Sequence, residues 1–391
     1  MPAARILFLF NHDAPHQVGH VGRIVRSLHE ARPDLLITCA TGTDAIRERV
    51  RLLVGEAAAA QVEWLDIGLP EWMDAALALP NLLAPVKRLA RLRWHARRLL
   101  DTDVLVSTER TCLRLQRHLP RGWPMPRFVH VPHGAGDRAV TFHSGKAGFD
   151  RILVSGEKTA RALVARGGVT PETLRVVGYA KFDAIERDKR LRLFDNDRPV
   201  FLYNPHFDPF LSSWYEEGPA LLDWFASQKG QRFNLIFAPH IMLFQKKLHI
   251  SPEYRRARLR SDIKPAWLEA PNILIDTDSE RLTDMSYTLS ADAYIGDVSS
   301  QIYEFLIRPR AAFFIDRFSQ DQRSREGHYP AWEAGDVVKS AKELTGLLPD
   351  FEKRLPIYLE RQKALFADTM SDDPARPASL RAALAIAEML D

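Results

Sequence analysis

Residues 293–309, AYIGDVSSQIYEFLIRP, carry the segment whose reading decides the fold. Ala293–Gly296 form a short apolar strand, Asp297–Ser300 an acid and hydroxyl turn, and Gln301–Ile307 a helix that must stop before Pro309. Strand, turn and helix in that order are the building unit of a parallel α/β sheet. A helix start offers unpaired backbone N–H groups and the positive end of a dipole, which suits a phosphate. Ser299 and Ser300 add hydroxyl donors, and Glu304 follows Ser300 by one helical turn. Serines and a carboxylate so placed fit a diphosphate and a ribose hydroxyl. Asp297 and the serines are equally ordinary helix caps, and the segment alone leaves both readings open.

Outward from this segment, the chain of 391 residues is long enough for two domains of ordinary size. It is 46% hydrophobic and 27% charged, the composition of a soluble globular protein, with no apolar run long enough to span a bilayer. The opening MPAARILFLFNHD reads as a first core strand rather than a signal peptide, which points to a cytoplasmic protein. Cys39 and Cys112 supply neither a disulfide framework nor a closely spaced zinc pair.

Apolar runs then alternate with helical patterns twice over. The first half has strands at Ile6–Phe10, Leu35–Cys39, Val104–Val106, Phe128–Val131, Ile152–Val154 and Leu174–Val177. Helices are expected at Val21–Glu30, Asp44–Val54 and Glu157–Arg166. The second half has strands at Val200–Tyr203, Leu235–Ala238, Ile273–Ile275, Ala293–Ile295 and Ala312–Ile315. Helices at Trp214–Ser227, Glu280–Leu289 and Ser299–Ile307 separate them. Runs apolar throughout, rather than alternating, belong to parallel sheets covered on both faces. The charge-rich stretch 185–199 reads as a linker. The expected architecture is α/β: two doubly wound Rossmann-like domains facing across a cleft. Residues 1–184 form the first, 200–370 the second, and 371–391 a C-terminal helix packing back on the first domain.

Chemistry gathers just after the strands. Pro132-His133-Gly134-Ala135-Gly136 follows the fourth run, Gly178-Tyr179-Ala180-Lys181-Phe182-Asp183 the sixth, Asn204-Pro205-His206-Phe207-Asp208 the seventh, and Pro239-His240 the eighth. Histidines at three strand ends are candidates for moving the proton of a hydroxyl. The first loop adds His12, His16 and His20. Pro15 and Gly19 interrupt any continuous helix there, so their spacing carries little weight for a metal, and His20 stays a candidate acceptor contact.

From His133 to about Val338 the chain resembles the CDP-glycerol glycerophosphotransferase family, which builds teichoic-acid-type polymers on a GT-B fold. The resemblance rests on an ordered series: His-Gly at 133–134, GYAKFD at 178–183, YNPHFD at 203–208 and Pro-His at 239–240. Aspartates at 276–278, ADAYIGDVSSQIYEFLIRPRAAFFID at 291–316 and GHYPAWEAGDVV at 327–338 complete it. The family usually has Tyr where this chain has Val298.

The resemblance implies a GT-B-like fold, with 1–184 as the acceptor side and 200–370 as the nucleotide-donor side. It implies His133 and His240 as catalytic, and Ser299 and Ser300 as donor-phosphate ligands, with Gly134, Gly178, His206, Asp297 and Glu304 also on the donor. His133 is the expected base, and Asp297 also a turn organiser and cap. Asp276 and Asp278 are expected to cap the helix near Glu280 rather than bind metal, so no metal or other cofactor is expected. The expected function is transfer of a glycerol-phosphate-type unit from a CDP-linked donor to a hydroxyl of a glycan or lipid-linked acceptor. A GT-B glycosyltransferase or a UDP-N-acetylglucosamine 2-epimerase-like enzyme acting on a UDP-sugar is the alternative. Nucleic acid is not an expected partner, since no recognised binding module is present.

Between Leu82 and His130 lie eleven Lys or Arg against three acids, a local balance of +8 in a chain of only +4. Residues 86–127 are thus expected to rest peripherally on the anionic inner face of the cytoplasmic membrane, or to form a solvated helix whose arginine stems cover apolar surface.

Overall fold

The computed structural model describes residues 3–13, 15–137, 142–251, 254–318 and 329–390. The chain forms two compact units, Met1–Ile185 with Asp368–Asp391, and Glu186–Ala367. The sheet of the first unit contains β1 (Arg5–Phe10), β2 (Leu36–Thr41), β3 (Glu63–Asp66), β4 (Val104–Ser107), β5 (Arg127–His130), β6 (Arg151–Val154) and β7 (Leu174–Val176). All seven run parallel, in the order β3-β2-β1-β4-β5-β6-β7. The order reverses between β1 and β4, the doubly wound switch point.

Alternation along β1 shows why its run is apolar throughout. Ile6, Phe8 and Phe10 face one core layer, shared with the helices Gly22–Ala31 and Ala378–Ala387. Leu7 and Leu9 face the other, shared with Leu92, Leu105 and Phe128. Burying a Leu or Phe on either side stabilises the sheet by roughly 1.5–3 kcal/mol. The helix Asp44–Val54 begins where the Thr43 hydroxyl accepts from the Ile46 N–H at 3.3 Å. Cys39 and Cys112 are buried, unbridged thiols.

The second unit repeats the plan. It contains β8 (Val200–Asn204), β9 (Asn234–Phe237), β10 (Leu248–Ser251), β11 (Arg256–Leu259), β12 (Ile273–Ile275), β13 (Ala293–Gly296), β14 (Ala311–Ile315) and β15 (Asp336–Val338). Six strands are parallel in the order β12-β9-β8-β13-β14-β15, and β10 with β11 forms a separate antiparallel hairpin. The reversal falls between β8 and β13, where Gly296 pairs with Asn204. The opening segment therefore ends its strand at the switch point of this sheet.

Several elements differ from the sequence expectation, among them the helix expected at Glu280–Leu289, which is split into Glu280–Leu282 and Ser286–Ser290. β3 is an edge strand reading Glu-Trp-Leu-Asp, too polar to stand out as a buried run. β15 and the hairpin are short and charged. The helix expected at Trp214–Ser227 begins only at Gly218, because Trp214 is fully buried in the core. Stretch 185–199, expected as a linker, is fastened to the second unit. The Leu191 N–H donates to Ser290 Oγ at 2.9 Å, Asn234 Nδ2 to Asn196 Oδ1 at 2.8 Å, and Arg198 Nη1 to the Gln231 carbonyl at 2.5 Å. Charge density marks exposure there, and backbone bonding provides the attachment.

No helix among the described residues is long and apolar enough to cross a membrane. Within the basic stretch, Arg91 is buried and paired with Asp13 at 2.6 Å, Lys87 with Asp74 at 2.6 Å, and Arg88 with Glu109. Arg93, Arg97 and Arg98 stay exposed, as does Trp94 at 53%. Arg114, Arg117 and Arg121 are exposed as well, whereas Arg91 drops out of the membrane reading. Reversing Arg93, Arg97 and Arg98 to Glu is expected to abolish cosedimentation with anionic vesicles. Wild-type protein that stays in the supernatant would remove the reading.

Candidate functional site

The turn after β13 is organised by Asp297, although not as a cap. Its side chain is 1% exposed and turned inward. It accepts from the His206 N–H at 3.0 Å, the Ser213 N–H at 2.7 Å and the Ser213 hydroxyl at 3.0 Å. The cap position belongs to Ser300, which makes no side-chain capping bond. Asp297 thus ties the loop after β8 to the loop after β13. Burial pushes its pKa up to about 7, against the lowering effect of these hydrogen bonds.

Around that tie the strand ends are cross-linked. Asn204 Nδ2 donates to the Ala238 carbonyl at 2.6 Å, and the Tyr294 hydroxyl donates to Asn204 Oδ1 at 3.4 Å. Asn204 and Tyr294 were not among the sequence candidates. A polar residue at the last position of an otherwise apolar strand was the signal that could have found Asn204. Ser299 Oγ accepts from the Gln301 N–H at 3.3 Å. Ser299 and Ser300 are both half-buried, and Glu304 is buried at 5%.

The loop that Asp297 holds carries His206, whose ring centroid lies 5.2 Å from that of His240. His206 is buried and stacked on Phe207 at 4.5 Å, and its Nδ1 accepts from the Asp208 N–H at 3.0 Å. His240 is half-buried, and its Nδ1 accepts from the Met242 N–H at 3.2 Å. A ring whose Nδ1 accepts carries its proton on Nε2, so this network assigns both rings as Nε2–H donors when neutral. Of the two, His240 is the more exposed, and His206 is buried beside it.

His133, after β5, belongs to the first unit and has a different environment. Its ring hydrogen-bonds to the Thr108 backbone. It keeps an exposed edge, yet protein packed around the rest of the ring lowers its pKa from 6.5. Lys146 and Arg88 push the same way, against Thr108 and Glu109. A neutral imidazole donating one N–H to a carbonyl keeps its other nitrogen as an acceptor, the form a base requires. Neighbouring His130 is buried, stacked on Phe149 at 4.7 Å, with a pKa held well below 6.5 by burial.

The glycines assigned to the donor both lie in the first unit. Gly134 follows His133 with φ +113°, a conformation L side chains rarely adopt. Gly178 has φ +85°, and a β-carbon there would stand 2.3 Å from Arg381 Nη2. Asp183, at the far end of the same GYAKFD run, accepts from the Ser379 N–H at 2.6 Å. This run therefore seats the helix Ala378–Ala387. His20 lies 5.3 Å from the Tyr179 ring, and both line a cavity of ≈ 20 Å³ with Gly134 and Gly178, room for about one water. The side chain of His16, and Gly327 with His328 of the last motif, fall outside the described residues.

Asp276 caps no helix either. It accepts from the Ser279 N–H at 3.0 Å and the Tyr287 hydroxyl at 2.6 Å, while Ser279 caps the turn Glu280–Leu282.

No protein-family profile and no curated protein matches the chain. Solved structures do. The wall teichoic acid polymerase TagF, as a variant soaked with CDPG, aligns with a TM-score of 0.60 at 13% identity, covering 100% of this chain and 91% of that one. UDP-GlcNAc 2-epimerase from Neisseria meningitidis, bound to UDP-GlcNAc, aligns at 0.55 and 12%, covering 99% of each chain. A further UDP-N-acetylglucosamine 2-epimerase aligns at 0.58 and 11%, covering 100% and 96%. At these identities the likeness speaks for architecture alone. With its two parallel doubly wound sheets, the chain has the GT-B fold.

Proposed function

We propose that the protein is a GT-B transferase that moves a polyol phosphate, of the glycerol-phosphate type, from a CDP-linked donor to a hydroxyl of a glycan or lipid-linked acceptor. The observation that carries this reading is the switch point of the second sheet. The loop of His206 is tied to the turn that bears Ser299 and Ser300, the His240 ring, an Nε2–H donor, lies 5.2 Å from the His206 ring, and the turn's own carboxylate is folded away. A carboxyl group that holds its proton up to about pH 7 does not repel a diphosphate.

In this scheme the acceptor oxygen attacks the distal phosphorus, and the bond from that phosphorus to the bridging oxygen breaks. CMP leaves with the electron pair. His133 takes the acceptor's proton, and His240, Ser299 and Ser300 stabilise the charge that grows on the departing phosphate. Glu304 is assigned the ribose.

The second reading is an enzyme acting on a UDP-sugar, favoured by the epimerase alignments, whose scores are similar to that of TagF. Thermal-shift and calorimetric titration of CDP-glycerol, CDP-ribitol and UDP-N-acetylglucosamine separates the two. The transferase reading expects a CDP-polyol to stabilise the protein most. A preference for the UDP-sugar would overturn it.

A further inference from the structure

The proposed scheme leaves one cluster of charged groups near the ends of β4 and β5 unused. Lys146 sits in the short turn Ser144–Gly148 and is 8% exposed. Burial lowers its ammonium pKa to about 8, and Arg110 adds to the effect. The Arg110 side chain lies over the same turn: a β-carbon on Gly145 would stand 3.1 Å from its Nη1. Lys146 also acts electrostatically on the rings of His130 and His133.

Among the described residues, neither Lys146 nor Arg110 has a carboxylate within ion-pair distance, and residues 138–141 contain no acid. Nearby acids are engaged elsewhere. Glu109 holds Arg88 and Thr111, Asp137 holds Lys158, and Asp150 accepts from the Phe128 N–H. A largely buried lysine with no counter-ion is costly in the ligand-free protein, and a site of this kind is a functional candidate. Arg110 is exposed, so the cluster is open to solvent on that side.

We propose that Lys146 and Arg110, beside His133, form an oxyanion site on the first unit that takes a phosphate ester group of the acceptor. An ammonium with three donors and a guanidinium fork match the charge and the several acceptor oxygens of a phosphate. The identity of the ligand as acceptor rests on the transferase reading, while the oxyanion site does not.

The test is calorimetry and thermal shift with inorganic phosphate, glycerol 3-phosphate and CMP on wild type, Lys146→Met, Lys146→Arg and Arg110→Gln. Phosphate and glycerol 3-phosphate are expected to stabilise wild type beyond chloride at equal ionic strength. Lys146→Met and Arg110→Gln lose about tenfold or more in affinity for both, and Lys146→Arg retains it. Without phosphate, Lys146→Met melts above wild type, because a buried charge has gone. CMP affinity stays unchanged in all variants. Equal phosphate affinity in wild type and Lys146→Met would overturn the site, whatever the donor screen shows. Loss of CMP binding in Lys146→Met would reassign it to the donor and overturn the acceptor claim. A failed CDP-polyol screen with the phosphate results intact would defeat the transferase reading alone.

Discussion

Replacing His133 by glutamine is expected to lower kcat about a thousandfold, while the Kd for the donor nucleotide stays where it was. The amide keeps an N–H for the Thr108 backbone but cannot accept a proton from an acceptor hydroxyl. Wild-type kcat/KM should fall on the acid side, because the base must be neutral to act. Desolvation places its pKa below 6.5, so that limb should lie below pH 6.5 rather than above it. Lys146 helps to hold the pKa down, and Lys146→Met should therefore move the limb to higher pH. His240→Gln should behave differently: its ring is assigned as an Nε2–H donor, a role an amide N–H partly reproduces. Steady-state rates from pH 5 to 9 decide the matter. An acid limb unchanged in His133→Gln would show that another group is the base.

The architecture was legible because parallel strands covered on both faces must be apolar at every position. β1 is the clear case, with Phe8 in one core layer and Leu9 in the other. What escaped the sequence was each residue whose partner lies far along the chain. Asp297 has the sequence context of a cap, yet its partner Ser213 lies 84 positions away. Asp183 has the look of a loop acid and meets Ser379 196 positions on. GYAKFD resembled a ligand loop for the same reason, since nothing local reveals that Arg381 fills the space beside Gly178. The histidines were visible as candidates, but their tautomers depend on backbone N–H groups that only the folded loops bring to Nδ1. Lys146 was invisible, because a lysine among small residues gives no sign of burial.

Asp297→Ala should cost the second unit roughly 3 kcal/mol, since two backbone N–H groups and a hydroxyl lose their acceptor in a buried place. For a unit of this size that is a fall of about 8 °C in melting temperature. Donor binding should weaken with it, because the loop carrying His206 is no longer held against the turn of Ser299 and Ser300. Asp297→Asn isolates the charge. In the folded protein the carboxyl pKa is raised to about 7, against 3.8 when exposed, so between those values the folded state binds the extra proton. Its contribution is therefore largest at low pH and declines as pH rises from about 4 to 7, by up to about 1.4 kcal/mol per unit. The asparagine cannot titrate, so the stability gap between wild type and Asp297→Asn should narrow between pH 5 and pH 7. Urea denaturation at both values measures that gap. If the gap is the same at both values instead, the three donors outweigh burial, the carboxylate is charged at neutral pH, and the donor turn carries a negative charge that His240 and the serines would have to overcome.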